Sequence, residues 1–282
     1  MRSPTKPYAH QGDVVILAHR GFSGRFPENT LLAFSKAAEL PIDGLEMDIH
    51  ATKDGVLVIS HDDSVARMTN GQGCIQEYSL AALKELDAGY HFSPDGGKTY
   101  PFRGQGLSIP SMAEVLERFP DLWINVDIKQ HEKRVVEEFC RLIEYHGAQE
   151  QLCVGSFSSE TVQQFRRICP QVVTLATRSE ILQLFLFNKL RLERWFKGGH
   201  AMQISPQHTQ WGITMDIATP HFIEAAHRRN TAVHLWTLDD EAEMRRFVQM
   251  GADGIITNYP DRALRHLGRL PPHNKAAVES EN

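Results

Sequence analysis

Val14-Val15-Ile16-Leu17-Ala18-His19-Arg20-Gly21 and Gly44-Leu45-Glu46-Met47-Asp48-Ile49 decide how this chain is read. The apolar runs Val14 to Ala18 and Gly44 to Ile49 have the pattern of strands buried on both faces of a helix-covered parallel sheet. Such strands end on one shared rim, and in a (β/α)₈ barrel that rim is where chemistry collects. His19-Arg20-Gly21 closes the first run, and Glu46-Met47-Asp48 lies toward the end of the second. Strand side chains repeat with period two, so Glu46 and Asp48 leave the same face as near neighbours. Two ionised carboxylates that close repel each other. One takes up a proton, a hard cation such as Mg²⁺ or Ca²⁺ sits between them, or one pairs with Arg or Lys in a structural salt bridge.

A third acid favours the cation. In Asn125-Val126-Asp127-Ile128-Lys129, at the end of the strand-like run Trp123 to Ile128, Asp127 and Lys129 share a face. Asp127 would complete a three-carboxylate oxygen cage, and Lys129 and Arg20 at its edge would make a site that neutralises phosphate. His19 and His61, the latter closing the run from Val56 to Ser60, are the candidate acid and base. A single histidine at a strand end is more often structural, but two beside three acids read as a pair. Glu28 and Asn29 are expected to orient His19 or the cation's ligands, unless Pro27-Glu28-Asn29-Thr30 merely caps the next helix. Trp236 is either an apolar wall for substrate or a barrel-core aromatic.

Nine strand-like runs compete for eight barrel places: Val14 to His19, Gly44 to Ile49, Val56 to His61, Trp123 to Ile128, Leu152 to Ser156, Val172 to Ala176, Ala201 to Ser205, Val233 to Trp236 and Gly254 to Thr257. Ala51 to Gly55 is too short for a parallel crossover, and Lys53-Asp54-Gly55 suits a tight turn, so the third run is expected to return antiparallel and deliver His61 to the rim. Helical spacing marks Leu31 to Leu40, Ser111 to Phe119, Val135 to His146, Ser159 to Ile168, Pro220 to Arg229 and Glu241 to Met250. The expected architecture is a single TIM-barrel domain over residues 14–267, with a small insertion on the catalytic rim after the second strand at about 62–110. Tyr90, His91 and Phe92 are its expected substrate contacts. Residues 1–13 form a polar N-terminal segment and 268–282 an expected disordered tail.

With 282 residues, 41% of them hydrophobic, and a net charge of −5, the chain suits one soluble barrel and not a nucleic-acid binder. Cys74, Cys140, Cys153 and Cys169 show neither zinc spacing nor a disulfide framework. No signal peptide or membrane span is read, so a cytoplasmic enzyme is expected. The segment 179–197 is unusual: Leu182, Leu184, Phe185, Leu186, Phe187, Leu190, Trp195 and Phe196 are interleaved with Lys189, Arg191, Arg194 and Lys197. It reads as a packed crossover helix, as a peripheral membrane contact, or as a hybrid of the two.

His19-Arg20-Gly21, Pro27-Glu28-Asn29-Thr30, Glu46-x-Asp48, Thr52-Lys53-Asp54-Gly55, His61-Asp62, Asn125-x-Asp127-x-Lys129, Trp236-Thr237 and Gly254-Ile255-Ile256-Thr257 together resemble the glycerophosphodiester phosphodiesterases in order and spacing. The resemblance runs from about Val14 to Leu267. It implies a (β/α)₈ barrel and metal-dependent cleavage of a phosphodiester next to glycerol, with one divalent cation, Mg²⁺ or Ca²⁺, on Glu46, Asp48 and Asp127. It also implies acid–base catalysis by His19 and His61; Arg20, Lys129 and Trp236 are expected on the substrate from their own charge and placement at strand ends. Within the family the chain looks most like the lysophospholipase D branch, on Asp127, on Ile109 to Val115 and on the stretch after Arg178; spider-venom phospholipase D enzymes are similar too. One departure is Asn258, where the family usually ends its last strand in Thr-Asp, which questions a supporting hydrogen bond. The expected substrate is a glycerophosphodiester or lysophospholipid. The alternatives are an enzyme restricted to small soluble diesters, a sphingomyelinase D-like cyclising phospholipase, and a non-catalytic lipid-binding barrel.

Overall fold

The structure is a computed structural model, and it describes residues 14–189, 196, 198–210 and 213–271. In chain order β1 (Val15–His19) leads to α1 (Leu31–Ala38), and β2 (Gly44–Ala51) to β3 (Leu57–Ile59). The helices α2 (Leu80–Lys84) and α3 (Met112–Arg118) precede β4 (Trp123–Ile128), α4 (Lys133–His146), β5 (Leu152–Gly155), α5 (Ser159–Ile168), β6 (Val173–Thr174) and α6 (Arg178–Lys189). Then come β7 (Ala201–Ile204), β8 (Gln207–Gln210), β9 (Ile213–Asp216), α7 (Pro220–His227), β10 (Ala232–Leu235), α8 (Glu241–Gln249), β11 (Gly254–Thr257) and α9 (Pro260–His266).

Parallel neighbours run β6-β5-β4-β2-β1-β11-β10-β7. The ring closes through a parallel bridge between Leu175 and Ala201, where Ala176 N donates to Ala201 O at 2.8 Å and His200 N to Thr174 O at 3.1 Å. This is the (β/α)₈ barrel. Every residue of β2 is buried, because barrel interior covers one face of the strand and helices the other, which is why its sequence shows no polar alternation. Phe34, Phe139, Phe165, Phe222 and Phe247, one from each of five surrounding helices, are fully buried in the layer between helices and strands.

The surplus run is β3, antiparallel to β2 with Ile49 opposite Ile59 and Ala51 opposite Leu57. Gly55, at φ +84°, makes the turn between them. In the parallel ladders His19 stands opposite Glu46, Glu46 opposite Asn125 and Asp48 opposite Asp127. Register alone therefore gathers the acids of two strands beside the histidine of a third.

Residues between β3 and α3 form a compact excursion with a small core of Val65, Ile75, Leu83, Ala88 and Ile109 on Val58. The β8–β9 hairpin has no counterpart in the sequence reading: Gln207-His208-Thr209-Gln210 is polar throughout and carries no period-two signal. Arg269, read as part of the tail, is tied to the barrel by bonds to Asp43 Oδ2 at 2.6 Å and Val14 O at 2.7 Å. The N-terminal segment 1–13, residues 272–282 of the tail, and Leu190, Arg191, Arg194, Trp195 and Lys197 of the segment 179–197 lie outside the described residues. Among the described residues no helix is long and apolar enough to cross a membrane.

Candidate active site

Strands β1, β2 and β4 are adjacent, so His19, Arg20, Glu46, Asp48, Asp127 and Lys129 meet on one arc of the rim. Arg20 and Asn29 take left-handed φ values of 55° and 56°. Between them Gly21 is indispensable, since its φ is +81° and a Cβ would stand 2.7 Å from the Ala33 carbonyl carbon. This tight path turns Arg20 inward. Its Nε lies 3.5 Å from Asp48 Oδ2, and its Nη1 donates to Glu28 Oε1 at 3.0 Å. Thr30 caps α1 by accepting from Ala33 N, which leaves Asn29 Nδ2 to donate to Asp48 Oδ2 at 3.3 Å. Glu28 and Asn29 thus support the acids and Arg20 from behind.

Lys129 Nζ bridges Asp48 Oδ1 at 2.8 Å and Asp127 Oδ2 at 2.6 Å. Burial works against its charge, but the two carboxylates outweigh burial and hold its pKa above the ordinary value. Glu46 accepts from Arg20 N at 3.3 Å and lies 3.8 Å from His19 Nε2. Its burial, then the Asp48 charge, push its pKa well above the usual carboxylate range. Burial and the Asp48 charge likewise raise Asp127, against the pull of Lys129.

Burial is the first cause of both raised values. Three hard carboxylate oxygen donors fit Mg²⁺ or Ca²⁺ by their chemistry. Their arrangement here is different: Lys129 lies between Asp48 and Asp127, and among the described residues no three His, Cys, Asp or Glu side chains are grouped to hold a metal ion.

The two histidines are oriented by unlike partners. His19 Nδ1 lies 2.7 Å from Asn258 Oδ1. Ser23 Oγ donates to that oxygen at 2.7 Å, and Asn258 Nδ2 donates to Asp239 Oδ2 at 2.7 Å. This network assigns Asn258 Oδ1 as acceptor, so Nδ1 of His19 carries its hydrogen and Nε2 offers a lone pair to the cavity. Burial first, then the Arg20 charge, lower the His19 pKa. The supporting bond questioned at Asn258 is therefore made, by a neutral amide.

His61 Nδ1 instead lies 2.7 Å from the Asp62 carboxylate. Asp62 also accepts from Arg67 Nε at 2.5 Å, and Arg67 reaches Glu28 with bonds of 2.7 and 3.0 Å. Burial opposes ionisation of Asp62, but hydrogen bonds from Arg67 and His61 override it and bring the pKa down to about 2. An acceptor-only carboxylate on Nδ1 makes that nitrogen the hydrogen-bond donor of His61.

His19, Arg20, Glu46, Asp48, His61, Asp127, Lys129 and Trp236 line a single cavity of about 580 Å³. Tyr90, His91 and Phe92 are not among its lining residues. They pack within the insertion instead: Tyr90 against His91 at 4.9 Å and beneath Arg103 at 4.1 Å, and Phe92 against Phe102 at 5.4 Å. Sequence reasoning did not assign Asp62 or Arg67 to the site. The first was signalled by adjacency to His61; the second had no local signal, because its partner Glu28 is 39 residues away. It also missed Phe157, whose ring meets Trp236 edge-on at 6.0 Å.

Residues 19–262 match the profile of the glycerophosphoryl diester phosphodiesterase family. The chain is similar to a glycerophosphodiester phosphodiesterase of Caldanaerobacter subterraneus, 31% identical over 88% of this chain and 95% of that protein. It is also similar to a human lysophospholipase D, 27% identical over 87% of this chain and 83% of that protein. Its fold superposes on the crystal structure of a glycerophosphoryl diester phosphodiesterase domain from Mycobacterium tuberculosis with a TM-score of 0.80, covering 92% of this chain and all of that domain at 20% identity.

Proposed function

The chain belongs to the glycerophosphoryl diester phosphodiesterase family, and from that premise we propose that it cleaves a phosphodiester next to glycerol by proton transfer through His19 and His61. The observation that carries this reading is the unlike support of the two histidines, a neutral amide on one and an ionised carboxylate on the other, around one cavity. Neutral His19 accepts at Nε2 the proton of the attacking hydroxyl, which belongs to glycerol or to water. His61 gives a proton to the departing alcohol oxygen as its bond to phosphorus breaks. Lys129 and Arg20 balance charge on the non-bridging oxygens. Glu46, Asp48 and Asp127 would hold a divalent cation, which when bound supplies further charge stabilisation at the phosphoryl group.

The test is incubation with glycerophosphocholine and Mg²⁺ or Ca²⁺, reading out choline. His19→Ala and His61→Ala should each lose roughly 10²-fold or more in kcat while melting normally. A folded variant with near-normal turnover would remove that histidine from the mechanism.

A finer reading, lysophospholipase D activity, is supported by the opposite arc of the cavity. Over β5, β6, β7 and β10 the lining is dominated by apolar side chains such as Phe157, Leu175, Ile204 and Trp236, more than a bare glycerol needs. Peripheral contact with a lipid surface belongs to the same reading, through Leu182 and Leu186, which are 57% and 49% exposed on α6, and the basic residues that follow them in sequence.

A further inference from the structure

The insertion after β3 sends one side chain back to the catalytic rim. A bridge between Ser64 and Cys74, with Val65 N donating to Gly73 O at 3.1 Å and Ile75 N to Asp63 O at 2.8 Å, folds residues 63–75 into a tight return. Val65, Met68 and Thr69 are buried in it, and Thr69 Oγ1 donates to Val65 O at 2.9 Å, so the backbone on either side of Arg67 is fixed. The Arg67 guanidinium leaves this loop and uses three of its edges at once. Its Nη2 and Nη1 donate to the two oxygens of Glu28 at 2.7 and 3.0 Å, and its Nε donates to Asp62 Oδ2 at 2.5 Å. Burial works against the Glu28 charge, but the hydrogen bonds from Arg67 and then the Arg20 charge overcome it and hold its pKa below the ordinary value. Glu28 is thus shared with Arg20, whose Nη1 donates to the same Oε1 at 3.0 Å.

His61 needs such support more than His19 does. The His19 side chain is 13% exposed and braced by Asn258, whereas that of His61 is 37% exposed. The His61 carbonyl accepts from His50 Nε2 at 3.3 Å, which fixes its backbone. Its ring, however, is tied to Asp62, the next residue in the chain and itself partly exposed. Two neighbouring side chains at the surface do not hold each other still, because each keeps its rotamer freedom. A planar guanidinium whose fork is set by a second carboxylate can hold them. We propose that Arg67 is the positioning residue of His61: anchored on Glu28, it fixes Asp62 and through Asp62 the imidazole, an inference that rests on the phosphodiesterase reading above. Because Glu28 also holds Arg20, the proton carrier and the phosphate-facing cation keep a fixed separation. Exposed ion pairs add little to stability, so the contribution of this network lies in geometry. Charge alone does not supply it, since Arg67→Lys puts one nitrogen where three edges stood.

The test is a double-mutant cycle on choline release from glycerophosphocholine. Arg67→Met should melt close to the wild type, since the side chain is 47% exposed. It should lose roughly ten- to a hundredfold in kcat, the scale set by misplacing a catalytic group by about 1 Å. KM should hold, because Glu28 keeps Arg20 in place. In the His61→Ala background the same substitution should cost less than about twofold, because the group it positions is gone. Arg67→Lys should stay well below the wild type in kcat, and it replaces Arg67→Met in the cycle if that variant melts early. Equal losses in both backgrounds, an undiminished kcat in Arg67→Met, or full recovery in Arg67→Lys each overturn the positioning role while the phosphodiesterase reading stands. If the wild type releases no choline, it is that reading which fails. Crystal structures of the wild type and Arg67→Met then decide the role without turnover: a His61 ring displaced or disordered in the variant supports it, and a ring in its wild-type place overturns it.

Discussion

Asn258 and Asp62 hold the same atom of two different histidines, the first through a neutral amide and the second through a carboxylate. Asp62 also makes a pH prediction. Its folded pKa of about 2 lies below the ordinary 3.8, so its pairing with Arg67 and His61 contributes fully above about pH 4 and is lost as pH falls toward 2. Wild-type protein should therefore lose melting temperature across that window faster than Asp62→Asn, whose amide does not titrate; parallel curves would show that the pairing contributes nothing to stability. Glu46, Asp48, Asp127 and both histidines were legible in the sequence because they stand at the ends of apolar runs, where strand period fixes the face they occupy. Arg67 was not, since only the path of a long insertion brings it between Glu28 and Asp62. Nor was the position of Lys129 between two acids, which depends on the register of β2 with β4 and on the free run of its long side chain.

Strand β2 owes its fit to Gly44. A Cβ there would stand 2.5 Å from the carbonyl oxygen of Trp123, its partner residue on β4. Gly44→Ala must push the two strands apart, at a cost of roughly 1–3 kcal/mol by analogy with overpacked cores. The same shift displaces Asp48 from Asp127, so activity should fall along with the denaturation midpoint. A variant of wild-type stability would mean that the strands yield more readily than their buried packing suggests. Most elements were legible because hydrophobic period and turn residues agree, as where Lys53-Asp54-Gly55 separates β2 from its antiparallel return. The hairpin of β8 and β9 was not, because the sequence of its first strand is polar throughout with no period-two signal, while its place comes from backbone pairing. Strand β6 reads longer in sequence than the Val173–Thr174 that pairs, since Leu175 contributes only a bridge.

For the molecule as a whole, a cation held by the native acids but not by the unfolded chain should raise the melting temperature once its concentration passes Kd, the added stability growing with the logarithm of concentration to about 2.7 kcal/mol at a hundredfold excess over Kd. Mg²⁺ or Ca²⁺ titrations should show this in the wild type and much less in Asp127→Asn, with EDTA abolishing turnover. Equal shifts in both proteins would remove Asp127 from the cation's ligands. The barrel wall is also uneven. β2 and β4 are matched over six residue pairs, whereas β5 and β6 are matched over two, and the ring closes past β6 on one bridge with the bonds of Ala176 and His200. Local opening follows the thinnest pairing, so native-state deuterium uptake should reach the amides of Ala176 and His200 long before those of Met47 and Val126. Opening at that seam would part the wall on the side where apolar groups gather. The six-pair ladder that carries Glu46, Asp48 and Asp127 lies across the barrel from it, so a wider mouth on the apolar side need not loosen the acids.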